Sequence, residues 1–123
     1  MICLDTNYLI LGLVAGSRES RELTAWIAAG ERLMVSTLVW FEFLCGPVTP
    51  GQIETMRAFL HELVPFDESH AIKAADLFNA AARKRSTRVD AMIAATAIVA
   101  DAALATNNTD DFRAFLDSGL RLA

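Results

Sequence analysis

Short apolar runs punctuate the chain, and between them polar and apolar residues recur at helical spacing. The first run, Met1-Ile2-Cys3-Leu4, reads as a short buried strand that ends at Asp5-Thr6-Asn7. Tyr8 to Val14 then reads as a buried helix ended near Gly16, and Ser17 caps a second helix over 18–29 closed by Gly30. In that second helix Leu23, Trp26 and Ile27 fall at helical spacing, while Arg18, Glu19, Arg21 and Glu22 read as plain solvated surface. Arg32 to Ser36 is a second strand, followed by an apolar helix over Thr37 to Cys45 that Gly46-Pro47 stops. Thr49-Pro50 is a cap with proline in the first turn, and the helix it opens is expected to reach about Leu63. Val64-Pro65-Phe66 is short and extended. Asp67 or Ser69 starts a long helix through Ala74, Leu77, Phe78 and Ala81 into a basic cluster. Another helix is expected from about Val89 to Ala100, then a strand at 102–105, a polar loop at 107–111, a short helix from Phe112 to Leu116 and an edge strand at Leu120 to Leu122. Short strands alternating with helices predict an α/β fold with a parallel sheet covered by helices on both faces.

Composition narrows this picture. The 123 residues suit one compact domain over 1–123, large enough to bury roughly two-thirds of its unfolded surface without a metal or disulfide. Hydrophobic residues make up 54%, and the mean hydropathy is +0.34, so part of the apolar surface is expected in an interface, either of a homodimer or with a partner. No membrane span is expected, because the longest apolar stretch, Tyr8 to Gly16, is about half the ~20 residues a spanning helix needs. Asp5 and the late first positive charge, Arg18, argue against a signal peptide. Cys3 and Cys45 lack metal-ligand spacing and read as reduced core thiols of a cytoplasmic protein. His61 and His70 read as surface residues of amphipathic helices.

A net charge of −4 argues against binding of nucleic acid by general electrostatics, though not by a local patch or through divalent cations. Arg83, Lys84, Arg85 and Arg88 fall within six positions. They read equally as a helix terminus that favours cations and as a phosphate-backbone grip beside Asp90.

The candidate chemistry lies in acids that keep unusual company. Asp5 stands at the carboxyl end of the first strand, the edge at which open α/β sheets bind ligands, and it also reads as the cap of the next helix. Glu42 is the only charge among the eight residues from Leu38 to Cys45, where an unpartnered carboxylate costs several kcal/mol; its bland reading is a narrow solvent-facing strip. Asp90 sits in the first turn of a helix whose only other polar side chain is Thr96, and the helix dipole alone accounts for an acid there. Asp110 and Asp111 follow a strand and polar loop, and each also reads as a cap. A parallel sheet brings all these places to one edge. Carboxylates gathered there need a compensating cation, and oxygen ligands without His or Cys point to Mg²⁺ or Mn²⁺. Phosphodiester hydrolysis by a metal-activated water is the chemistry that follows. The sequence has no Gly-rich phosphate loop, H-E-x-x-H motif or G-x-S-x-G elbow.

Leu4-Asp5-Thr6-Asn7, Val35-Ser36 leading to Glu42-Phe43, Asp90 followed by Ile93-Ala94-Ala95-Thr96-Ala97, and Ala105-Thr106-Asn107-Asn108 with Asp111-Phe112 occur in the order found in one family. Together they resemble the PIN-domain nucleases and, within them, the VapC-like toxins of type II toxin–antitoxin pairs. The resemblance implies a three-layer α/β/α sandwich around a mostly parallel sheet, Mg²⁺- or Mn²⁺-dependent endoribonuclease activity, a homodimer, and inhibition by a cognate antitoxin protein. Carried over residue by residue, it implies catalytic and metal-binding roles for Asp5, Glu42, Asp90 and Asp111, with Thr6, Asn108 and Asp110 in support. Many members have an acid where this chain has Asn108, so Asp111 is expected to serve in its place. Arg83, Lys84, Arg85 and Arg88 are the expected RNA contacts. The alternatives are a PIN fold that binds RNA or protein without cutting, and a phosphatase with Asp5 as nucleophile. The phosphatase pattern usually has a second acid where this chain has Asn7.

Overall fold

The computed structural model describes residues 1–123. Its strands are Ile2–Leu4 (β1), Leu33–Ser36 (β2), Glu62–Val64 (β3) and Ala103–Ala105 (β4), and every residue of β1 and β2 is buried. Strands apolar on both sides need cover on both sides, which is why helices separate them. These are Thr6–Leu11 (α1), Arg18–Ala28 (α2), Thr37–Leu44 (α3), Pro50–Phe59 (α4), Glu68–Ala80 (α5), Arg88–Val99 (α6) and Thr109–Phe112 (α7).

The sheet order is β3-β2-β1-β4, with every pairing parallel. β1 matches Ile2 to Leu33 on one side and Ile2 to Ala103 on the other, so both neighbours end level with it. The chain moves outward from β1 through β2 to β3, then returns to β1's other side as β4. Strand order therefore reverses between β1 and β4, whose carboxyl ends lead into Asp5 and Thr106. Right-handed crossovers put the helices after β1 and β2 on one face and those after β3 on the other. Accordingly α1 packs on α2 and α3, while α5 packs on α6. The result is the expected α/β/α sandwich. No helix is long and apolar enough to cross a membrane.

Several boundaries differ from expectation, each for a local reason. The first helix runs over Thr6–Leu11 rather than from Tyr8 to Val14, because Asp5 caps it at once and Gly12 closes it. A Cβ on Gly12 would stand 2.4 Å from both Leu23 Cδ1 and the Tyr8 carbonyl oxygen, so α1 and α2 approach closely only over glycine. Gly12→Ala is expected to destabilise the fold by about 1–3 kcal/mol, read as a lower urea midpoint. The helix opened by Thr49-Pro50 stops at Phe59, not near Leu63, because Glu62, Leu63 and Val64 pair with Met34, Val35 and Ser36. Sheet pairing there overrides helical propensity. The extended piece accordingly lies over Glu62–Val64, one step before Pro65, which has no N–H to offer a ladder.

The long helix ends at Ala80, short of the basic cluster, and the chain turns through left-handed Ala82 and Arg83. Where a loop and then a helix from Phe112 were expected, α7 already starts at Thr109 and a 3₁₀ turn continues over Arg113–Ser118. The last edge strand is reduced to a single parallel bridge from Leu104 to Leu122. Cys3 is buried but Cys45 is exposed, so only one of the two is a core thiol. His70 is buried rather than superficial, stacked on Phe66 and closing the α5 capping box with Asp67. His61 lies beyond α4, where its Nδ1 accepts from the Leu33 N–H at 3.1 Å.

Candidate active site

Asp5 leaves β1 in an extended conformation and caps α1, its Oδ1 accepting from the Thr6 N–H at 2.8 Å. Its Oδ2 accepts from the Thr106 hydroxyl, also at 2.8 Å, across the reversal point of the sheet. The Thr106 oxygen in turn accepts from the Asn108 N–H at 3.0 Å. Capping and pocket-lining thus fall to the same carboxylate, which is buried at 6% exposure. Each carboxylate oxygen has two acceptor positions, so both retain one for a ligand.

α3 starts directly at the end of β2 with Ser36 as its cap, which brings Glu42 level with the site. The Thr6 hydroxyl donates to Glu42 Oε2 at 3.1 Å. Glu42 itself is exposed, so the expected penalty of an ion in apolar surroundings does not arise. What is unusual about α3 is its exposed apolar side, with Phe41 66% and Leu44 43% exposed.

Asp90 occupies the first turn of α6. Asp5, Thr6, Glu42, Asp90 and Asn108 together line a cavity of about 160 Å³, with Val89 and Ile93 as apolar wall. Asn7 also faces it, a residue the sequence reading did not single out. The Asp90 carboxyl is pushed up to about 6, first by burial and then by Asp111, Asp5 and Glu42. Beneath the site, burial and then Asp5 push the Cys3 thiol up to about 12, which leaves it inert.

Asp110 and Asp111 lie on the far side of Asp90. With Asp90, Lys84, Ser86 and Thr87 they line a second cavity of about 390 Å³. Asp110 pairs with Arg113 at 2.7 Å. The basic cluster is divided: Lys84 is in the wall of the second cavity, whereas Arg83 and Arg88 stack on the Phe78 ring at 5.4 and 5.8 Å. Arg85 is exposed in a 3₁₀ turn. No three acidic, histidine or cysteine side chains stand close enough to enclose one ion by themselves.

The sequence profile of the PIN domain matches residues 2–115. The chain belongs to the PIN-domain family. PIN-domain toxins are generally nucleases, which supports hydrolase activity here. Among solved structures, a toxin–antitoxin complex from Klebsiella pneumoniae is 29% identical, with 91% of this chain and 90% of that chain covered at a TM-score of 0.71. VapBC2 from Rickettsia felis, bound to a DNA fragment from its promoter, is 20% identical over 100% of this chain and 98% of that one, with a TM-score of 0.79. DNA-bound VapBC from Salmonella typhimurium is 23% identical over 99% and 96%, with a TM-score of 0.72. The latter two likenesses concern the fold. No curated protein matches the sequence.

Thr106 has a larger place in this PIN domain's site than its sequence position suggested. Its partner Asp5 is 101 residues away, and only the adjacency of β1 and β4 joins them. A second departure concerns the charges on α2. Glu19, expected on the surface, is 7% exposed and accepts from Asn107 Nδ2 at 3.2 Å. Glu22 likewise accepts from the Tyr8 hydroxyl at 2.5 Å.

Proposed function

We propose that the chain is a single PIN-like nuclease domain over 1–123, a Mg²⁺- or Mn²⁺-dependent endoribonuclease that acts in the cytoplasm as the toxin of a toxin–antitoxin pair. One observation carries the reading: Asp5, Glu42 and Asp90, drawn from three elements far apart in sequence, face a single cavity with only hard oxygen and amide donors around it. The Asp90 carboxyl is raised by burial and by three other carboxylates, the surplus of negative charge that a divalent cation would offset. That donor set fits a hydrated divalent ion held through one or two carboxylates and several waters, rather than a closed cage of protein ligands. Asp5 and Asp90 are the proposed direct ligands, with Glu42 and Asp111 joining directly or through water. When bound, such an ion offsets phosphate charge and lowers the pKa of water, the two requirements of phosphodiester hydrolysis.

The chain's own groups do the positioning. Thr106 and the Thr6 amide hold Asp5, the Thr6 hydroxyl holds Glu42, and Asn108 lines the same cavity. Lys84, which shares the second cavity with Asp90, is the proposed first phosphate contact, with Arg83, Arg85 and Arg88 outside that cavity. Lys84→Ala is expected to weaken RNA binding regardless of sequence and to reduce its salt dependence by about one released ion, read by fluorescence anisotropy.

The antitoxin partner is supported by the Klebsiella likeness and by exposed apolar surface. Ile10, Val14, Phe41 and Leu44 are each more than two-fifths exposed, and a groove of about 540 Å³ runs between Trp40 and α4. Surface of this kind suits a protein partner, and a homodimer would also cover part of it. The direct test is incubation of the purified protein with structured RNA in Mn²⁺ and in EDTA, beside Asp5→Asn. Cleavage only by the parent and only with metal is expected. Binding without cleavage would instead make the chain a non-catalytic PIN-fold module, and a trapped phosphoaspartate at Asp5 would point to phosphatase chemistry.

A further inference from the structure

Glu19 is one of only two buried acids in the chain, the other being Asp5. It stands in the first turn of α2, and neither the capping of that helix, which Ser17 performs, nor the cavity beside Asp5 uses it. Its Oε1 accepts from Asn107 Nδ2 at 3.2 Å and from Arg18 Nη2 at 3.3 Å. The same Arg18 nitrogen donates to Asn107 Oδ1. Both ends of the Asn107 amide are therefore held, one by a carboxylate and one by a guanidinium. Its own backbone N–H, then Asn107 and Arg18, keep the Glu19 carboxyl below the usual carboxylate range, so it stays an acceptor at neutral pH.

Asn107 lies between the two residues that matter next to it. Thr106 gives its proton to Asp5, and Asn108 gives its amide proton to Thr106. Anything that fixes Asn107 fixes the loop from which both act. We propose that Glu19, with Arg18, is a positioning residue of the active site: by clamping Asn107 it holds the loop after β4 so that Thr106 keeps Asp5 aimed into the metal cavity. The physical reason is that Asn107 is only partly buried and follows a three-residue strand, so the loop has little packing of its own. Charge-assisted hydrogen bonds of this kind are among the stronger ones a side chain makes. Partners behind a metal ligand typically change metal affinity or activity by 10–100-fold.

The inference rests on the nuclease reading for its consequence but not for its geometry, and two measurements keep these apart. In the metal-free protein, Glu19→Ala and Asn107→Ala are each expected to speed hydrogen exchange of the Asn108 amide by about tenfold or more, while Leu23 in α2 exchanges as before; Glu19→Gln, which still accepts from Asn107, should stay near the parent. In a Mn²⁺ titration followed by melting temperature, both alanine variants are expected to shift the midpoint upward by about 10–100-fold. The double variant should do no worse than either single one. Asn107→Ala leaves α2 and its Glu19–Arg18 pair in place, so the test survives if Glu19→Ala folds poorly. An unchanged Asn108 exchange rate in Asn107→Ala, or a parental Mn²⁺ midpoint in both alanine variants, overturns the proposal. Changed Asn108 exchange in a protein whose parent cuts no RNA would overturn the nuclease reading and leave the clamp standing.

Discussion

Asp5→Asn is expected to lower metal-dependent RNA cleavage by two orders of magnitude or more while leaving the protein folded. The substitution keeps the shape and removes the charge. Asparagine Oδ1 still accepts from the Thr6 N–H, so α1 keeps its cap. What is lost is the anionic ligand at the reversal point of the sheet. A divalent ion contributes several kcal/mol to stabilising phosphoryl charge, and 3 kcal/mol is already more than a hundredfold in rate. Initial rates on an RNA substrate in Mn²⁺, with circular dichroism as a folding control, measure this. A variant within about threefold of the parent would remove Asp5 from the chemistry.

The second large effect concerns Asp90 and should change sign with metal. Burial, Asp111, Asp5 and Glu42 raise its folded pKa to about 6 from an ordinary value of 3.8. A raised carboxyl binds its proton more tightly folded than unfolded. Between about pH 4 and pH 6 stability therefore falls as pH rises, and above pH 6 the full penalty of the ionised form is present. One pKa unit corresponds to about 1.4 kcal/mol, and with the partial exposure of Asp90 the penalty comes to roughly 1–2 kcal/mol. In EDTA at pH 7.5, Asp90→Asn is accordingly expected to melt several degrees above the parent, with the gap closing as pH approaches 4. In Mn²⁺ the order should reverse. At an ion concentration of about 100 Kd the parent gains about 2.7 kcal/mol, and the variant, with one ligand fewer, gains less. Because ligands must be deprotonated, cleavage should also decline as pH falls below about 6. Melting curves in EDTA and Mn²⁺ across this range decide the matter, and equal metal responses in the two proteins would dissolve the carboxylate cluster.

The unusual feature of α3 is its uncovered apolar side and not its one charge. Glu42 stood out because it interrupts an apolar helix, yet the carboxylate is solvated and the apolar side chains around it are the anomaly. Phe41 and Leu44 sit next to a residue of the candidate site, so a protein bound over α3 would lie close to the site's rim. The divided basic cluster carries a similar lesson. Arg83, Lys84, Arg85 and Arg88 are neighbours in sequence, but the left-handed turn at Ala82 and Arg83 sends two guanidiniums onto Phe78 and leaves Lys84 beside the acids.

Local chemistry was enough to read the strand–helix alternation, the strand that ends at Asp5, the capped starts at Ser17 and Thr49, and the acids at 42 and 90, and it narrowed the start of α5 to Asp67 or Ser69, of which Asp67 is the cap. Each of these depends on residues within one or two turns of each other. Its limits lay where a distant segment competes. Glu62 to Val64 continue an acceptable helical pattern until β2 offers them hydrogen bonds, and Cys45 lies in an apolar run whose outer side is uncovered. Glu19 is the sharpest case: in a row of charges at the start of a helix nothing distinguishes it from Arg21, and only its partner 88 residues onward makes it a buried acceptor.

The order of apolar and polar residues by itself determined a parallel α/β sheet with acids at strand ends and helix starts, because backbone pairing and helix capping are local and the buried faces must repeat. Which acids meet was decided by tertiary structure alone. The strand order β3-β2-β1-β4 sets β4 against β1, and that adjacency brings Thr106 to Asp5 and Asn107 within reach of Glu19, while Asp90 from α6 meets Asp5 across one cavity. Contacts across a hundred residues are fixed by sheet topology, to which no local propensity refers.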